Sequence, residues 1–141
     1  MGNRGETGEL PALGVSSFDR HCGLELVESG PDRVLGVAPV VPELLQPTGV
    51  VHGGVYAAIA EGTASLGCNH AIRDRGLFAL GMSNTTSFMR PIAAGSIHAE
   101  ARPVHIGAGT AVWDVELRDD QERLCAVSRV TLALREMTRP G

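Results

Sequence analysis

Six residues within one short stretch carry groups that could work on a carbonyl: Gln46, His52, Gly53, Gly54, Glu61 and Ser65. Glu61 falls inside a segment, Val55 to about Ile72, where Val55, Ala58, Ile59, Gly62 and Leu66 recur at roughly helical spacing. The segment is apolar or small on most sides, which predicts a buried helix. A carboxylate on a buried helix is costly unless it is paired, hydrogen-bonded or functional. Ser65 follows Glu61 by one turn and shares its face, so its hydroxyl can orient the carboxylate or a water beside it. Gly53 and Gly54 sit where the helix begins. Their free N–H groups, with the helix dipole behind them, favour a developing negative charge. That is what an oxyanion hole requires.

The elements that hold these groups set a constraint. Gly53 and Glu61 are eight residues apart on one helix, about 12 Å along its axis. One carbonyl cannot meet both groups of the same chain. If both act on one carbon, Glu61 must come from a second copy, and the site straddles a dimer interface. Two internal glycines, Gly62 and Gly67, each cost the helix about 1 kcal/mol relative to Ala. A helix tolerates that where something must approach its surface closely.

Around this helix the pattern is of strands. Phe18 to Gly23 reads as a short helical turn. Leu24 to Glu28 and Arg33 to Pro39 read as strands joined by the turn Ser29-Gly30-Pro31-Asp32. Pro42 and Pro47 bracket a loop. Four more strands follow: Leu77 to Met89, Ile97 to Ile106, Thr110 to Arg118 and Leu124 to Leu134. The third of these is the clearest, with Ala111, Trp113, Val115 and Leu117 alternating with polar or outward residues. The order of two strands, one helix and four strands predicts an α+β domain in which a long antiparallel sheet curls around one central helix. Residues 1–15, rich in Gly, Pro and charge, read as a flexible or loosely docked tail, and 137–141 as a frayed end. The domain between them is 16–136.

Several chemistries do not fit. His52 has no second ligand at metal-binding spacing and HExxH is absent, so no metal site is expected. Gly107-Ala108-Gly109 precedes a strand rather than a helix, against a dinucleotide fold. Ser65 and Ser87 lack a nucleophile elbow.

The run Gln46-Pro-Thr-Gly-Val-Val-His-Gly-Gly-Val-Tyr-Ala-Ala-Ile-Ala-Glu61 resembles the signature of hotdog-fold acyl-CoA thioesterases. The likeness is greatest to 4-hydroxybenzoyl-CoA thioesterases of the Arthrobacter type and related phenylacetate-pathway enzymes, over about residues 20–135. Asn84 to Pro91, ending Phe88-Met89-Arg90-Pro91, also resembles the family's third-strand region. The resemblance implies a hotdog fold and hydrolysis of an acyl-CoA. It implies that Glu61 is nucleophile or general base and that the Gly53 N–H polarises the thioester carbonyl. It implies that Gln46 and His52 assist at the carbonyl side and that Ser65 helps place the water or leaving group. Arg90 then meets CoA phosphate, and the backbone around Ala108, Gly109 and Thr110 lies near the nucleotide. No cofactor is implied, since CoA is part of the substrate. The sequence departs from the family where Gly107 is followed by Ala108 rather than a basic residue. One phosphate contact is then missing or supplied from elsewhere, which brings a carrier-protein thioester into consideration. Tyr56 and Phe78 are candidates to favour an aromatic acyl group, or core residues.

Two other readings use the same fold. A non-catalytic acyl-CoA-binding or regulatory module would keep the pocket and use Glu61 structurally, but no DNA-binding segment is visible. A hydratase wants an acid–base pair that His52 and Glu61 do not form.

The 141 residues suit one domain with a real core. A net charge of −4 with no basic run gives no footprint for nucleic acid. Cys22, Cys68 and Cys125, odd in number and without CxxC, are expected as reduced, buried thiols in a cytosol. No apolar run reaches the ~18 residues of a membrane span. A homodimer, or dimers paired into a tetramer, is the expected assembly.

Overall fold

A computed structural model describes residues 9–137. Its elements in chain order are α1 (Ser17–His21), β1 (Glu25–Ser29), β2 (Val34–Pro39), α2 (Gly53–Ile72), β3 (Leu77–Phe88), β4 (Ser96–Ile106), β5 (Thr110–Arg118) and β6 (Leu124–Glu136). Short 3-10 turns flank α2 at Pro42–Leu44 and Arg73–Arg75. The six strands form one antiparallel sheet in the order β1-β2-β4-β5-β6-β3, packed on α2. This is the hotdog architecture that the sequence predicts.

The alternation in β5 is realised as expected: Ala111, Trp113, Val115 and Leu117 are all buried toward α2. Gly67 explains itself here. A Cβ at that position would stand 2.5 Å from the Trp113 ring, so only glycine lets the indole lie against the helix. Gly62 does the same for α1, whose Asp19 carboxylate would stand 2.6 Å from an added Cβ. Pro103 lies in β4 just beyond Ala101, the last residue of that strand opposite β2 before the sheet opens at Val34, so its missing N–H costs no ladder bond to β2.

Cys22, Cys68 and Cys125 are all buried and free. Burial pushes the Cys68 thiol up to about 11, against the neighbouring Trp113 N–H and Arg75, which favour the thiolate. No helix among the described residues is long and apolar enough to cross a membrane.

One expectation needs correction. The central helix is not buried on all sides: one stripe of it is open, and Glu61 is exposed on that stripe. The sheet has six strands and curls around only part of the helix surface, so a single chain leaves the rest uncovered. The expected N-terminal tail lies partly outside the described residues, but from Pro11 onward it is docked. Leu13 and Val15 pack against the core, and the Arg73 guanidinium donates to the Pro11 carbonyl at 2.9 Å.

Candidate active site

His52 ends an extended segment and caps α2. Its Nδ1 accepts from the Gly54 N–H at 2.9 Å, and its carbonyl accepts from Val55 N–H. The Gly53 N–H belongs to the first helical residue, which has no partner within the helix, and it has none elsewhere among the described residues. An unpaired donor therefore stands at the positive end of a twenty-residue helix. The capping role of His52 was not read from the sequence, which placed it at the carbonyl. The cap occupies its Nδ1 and aims the helix start.

A cleft of about 380 Å³ opens in front of this N–H, lined by Gln46, Gly53, Tyr56, Phe88, Met89 and Arg90 among others. Gln46 is fixed by a bond from its Nε2 to Thr48 Oγ1 at 2.7 Å. The Phe88 ring packs over Gly53, where an added Cβ would stand 2.9 Å from it, and lies 5.9 Å from the Tyr56 ring. The Tyr56 hydroxyl is buried without a partner of hydrogen-bond geometry. Burial raises its pKa, with the nearby Ile92 N–H pulling the other way. The hydroxyl lies behind the wall of the cleft rather than in it.

Glu61 is not in this cleft. It sits two turns further along α2, with Ser65 half-buried one turn beyond it. Its carboxylate lies over Gly81 of β3, where an added Cβ would be 3.2 Å away. It enters none of the ion pairs among the described residues. Two asparagines fasten the helix to β3 on either side of it. Asn84 Nδ2 donates to Ala57 O at 2.8 Å. Asn69 Oδ1 accepts from Ala79 N–H at 2.8 Å while its Nδ2 donates to Ser65 O. Asn69, Asn84 and Gly81 were missed in the sequence. For Asn84 and Gly81 the available signal was their misfit, since Asn and Gly are depleted in strand interiors; Asn69 lies within α2, where asparagine is a poor helix former.

Arg90 and the Ala108–Thr110 turn are far apart in one chain. Phe88, just before Arg90, pairs with Ala126 near the start of β6, whereas Thr110 pairs with Ala133 near its end. The turn is short of a basic residue at Ala108, but two arginines reach it. Arg75 donates to Gly107 O at 3.0 Å and Ala108 O at 2.8 Å, and Arg135 donates to Gly109 O at 3.3 Å.

β3 is an edge strand with no neighbour on its outer side. Leu80, Met82 and Phe88 are exposed along it, and the register shifts between Gly81 and Ser83. A long apolar edge of this kind is a template for pairing with another chain.

Comparison with known proteins agrees with this architecture. Residues 48–126 match the Thioesterase superfamily. The Rv1847 protein of Mycobacterium tuberculosis is 39% identical over 117 residues, covering 82% of this chain and 84% of that protein. Its solved structure superposes with a TM-score of 0.84, covering 89% of this chain and all of that one. The proofreading thioesterase EntH of Cronobacter turicensis is 31% identical over 125 residues, covering 89% of this chain and 90% of its own. The Escherichia coli PaaI protein of the phenylacetic acid degradation operon is more distant. At 23% identity and a TM-score of 0.79, over 87% of each chain, it shares the fold.

Proposed function

The chain belongs to the thioesterase superfamily, and from that premise we propose that it hydrolyses an acyl-CoA in sites shared between the two subunits of a homodimer. The observation that carries this reading is the position of Glu61. It is a free carboxylate over Gly81 on the open edge strand, out of reach of the unpaired Gly53 N–H on the same helix.

A second copy adding its β3 antiparallel to this one relieves both problems. Along β3, Gly81 and Phe88 lie toward opposite ends, beside Glu61 and Gly53 respectively. A two-fold axis between paired strands therefore sets the Phe88 end of one strand beside the Gly81 half of the other. The oxyanion donor of one subunit then faces the carboxylate of its partner. The same operation carries Arg90 toward the partner's Ala108–Thr110 turn, where Arg75 and Arg135 supply the positive charge that Ala108 does not. Pairing also covers Leu80 and Met82.

In this site the thioester carbonyl oxygen rests on the Gly53 N–H, supported by the helix dipole and the His52 cap. Glu61 of the partner subunit attacks the carbonyl carbon to give an anhydride that water cleaves, or takes a proton from the attacking water. Both routes break the C–S bond and release the free acid and the thiol. Ser65 stands beside the carboxylate to place the water, and Gln46 lies on the carbonyl side.

The test is complementation. Gly53→Pro removes the N–H and keeps the helix start, because proline is tolerated at the first helical position and His52 already has the extended geometry proline demands (φ −62°, ψ 134°); its added carbons push aside the exposed Phe88 ring, so Gly53→Ala, which keeps the N–H and adds the same Cβ, is the control. Glu61→Ala removes the carboxylate. Each variant alone should lose at least ~100-fold in kcat on acyl-CoA. Mixed by co-refolding, they should recover about a quarter of wild-type activity, since random pairing restores one site in half the dimers. An inactive mixture of folded dimers would place both groups in one chain and overturn the shared site. Undiminished hydrolysis by Glu61→Ala would remove its catalytic role.

A further inference from the structure

A second cavity, separate from the Gly53 cleft, lies beneath the N-terminal segment. It measures about 480 Å³ and is lined by residues 11–16 on one side and by Gly62, Leu66, Asn69 and Phe78 on the other. We propose that this cavity receives the acyl group, and that the segment Pro11–Ser16 sets its size. The substrate class is then an apolar acyl group much longer than acetyl. The inference rests on the thioesterase reading above.

Position is the first argument. On α2, Glu61 and Ser65 form one stripe. Gly62, Leu66 and Asn69 form the stripe beside it, about 100° around the helix. A thioester held at Glu61 and Ser65 therefore has this cavity next to it. Phe78 places the cavity at the open edge strand, on the Glu61 side of β3, which a partner's Gly53 cleft faces in the proposed dimer.

Chemistry is the second. The cleft at Gly53 has polar groups to hold a carbonyl and a charged leaving group: the free Gly53 N–H, Gln46 and Arg90. The second cavity has no side-chain polar group to spare. The Asn69 amide is used on both sides, donating to Ser65 O and accepting from Ala79 N–H. Arg20, the one charged residue in the lining, is turned to Val15 O at 3.1 Å and Ser17 Oγ at 3.4 Å. What remains toward the interior is Leu13, Val15, Leu66 and Phe78. Such a wall rewards apolar area and offers no specific partner to a polar acyl group. The volume lies within the range of pockets that enclose a whole small ligand, so an acetyl group would leave most of it unfilled.

The wall is also fastened. Arg73 holds it at Pro11 and Arg20 holds it at Val15. A segment pinned at both ends can act as a ruler for chain length.

Leu13→Trp, on the segment and only partly buried, fills the cavity from its outer wall and leaves every helix residue unchanged. The ratio of kcat/KM for octanoyl-CoA over acetyl-CoA should fall by about tenfold or more, the discrimination that one methylene commands in an apolar pocket. Leu13→Ala should move the ratio the other way. A ratio unchanged in both variants overturns the proposal. Binding supplies a readout independent of turnover. In the Glu61→Gln background, calorimetric titration should show octanoyl-CoA binding more tightly than CoA, with Leu13→Trp removing the difference. If wild type hydrolyses no thioester yet Leu13→Trp still removes that difference, the thioesterase reading fails and the cavity assignment stands. If hydrolysis is Glu61-dependent but the octanoyl preference ignores Leu13, the acyl group lies elsewhere and this inference alone is wrong.

Discussion

The side-chain amide of Asn84 on β3 donates to the main-chain carbonyl of Ala57, 2.8 Å away, one helical turn before Glu61. With Asn69 gripping Ala79 a little further along, it bolts α2 to the edge strand on both sides of the carboxylate. Glu61 is thus held over Gly81 by its neighbours' backbone contacts, while its own side chain stays free.

Asn84→Ala should cost about 1 kcal/mol of stability, the net worth of one hydrogen bond. If Asn84 positions Glu61, kcat should fall while KM changes little. Urea unfolding and steady-state kinetics read the two effects separately. A purely structural role would lower stability and leave kcat of the folded enzyme at the wild-type value.

Gly81→Val should separate stability from activity. Glycine weakens a strand, and valine favours one, so thermal stability should hold or rise. The new side chain meets the Glu61 carboxylate, which is the far end of a flexible group and must move aside. A misplacement of about 1 Å can cost about 100-fold in rate, and kcat should fall on that scale. Equal kcat in the variant would show that Glu61 does not act from this position.

The two helix glycines should respond differently to alanine. At Gly67 the gain in helix propensity, about 1 kcal/mol, competes with forcing a methyl into the Trp113 ring and Val34. Overpacking costs about 1–3 kcal/mol, so Gly67→Ala should be net destabilising by about 1 kcal/mol. At Gly62 the obstacle is the Asp19 carboxylate on the short exposed helix α1, which can shift. Gly62→Ala should therefore be close to neutral. Parallel urea titrations decide both signs.

His52→Ala should remove the helix cap and cost about 1 kcal/mol. His52→Asn can restore a cap. Asparagine caps as well as aspartate and adds no charge beside the oxyanion, so if His52 acts only by aiming the helix start, His52→Asn should recover both stability and most of the activity. Recovery of stability without activity would give the imidazole a direct part in the chemistry.

Asp119 links folding to acid pH. Its carboxylate is desolvated, which raises its pKa, but this is outweighed by bonds from Arg123 N–H, the Arg123 side chain and Gln121 N–H, and the net shift is downward. A depressed pKa in the folded state gives stability that is present above the ordinary carboxylate range and lost as pH falls through the folded value. Asp119→Asn should thus melt below wild type at pH 7. The gap in Tm should close as pH drops below about 4, the ordinary range for an aspartate. A gap independent of pH would assign the effect to packing of the turn alone.

Sequence alone determined the order of elements, the alternating face of β5, the glycine-marked start of α2 and the shared face of Glu61 and Ser65. These depend on local periodicity and on backbone preferences that act within a few residues. It also determined that Gly53 and Glu61 cannot meet on one chain, because helix rise alone fixes their separation. Only the tertiary structure decided that β3 leaves its neighbour in sequence, β4, and pairs with β6 at the edge. That choice exposes Glu61, leaves a partly apolar edge unpaired, and sends Arg90 and the Ala108–Thr110 turn to opposite ends. It likewise decided that His52 turns back to cap the helix, that two asparagines clamp it, and that residues 11–16 roof a cavity. These are contacts between segments distant in sequence. Their partners are selected by long-range packing, and no periodicity in the chain records that selection.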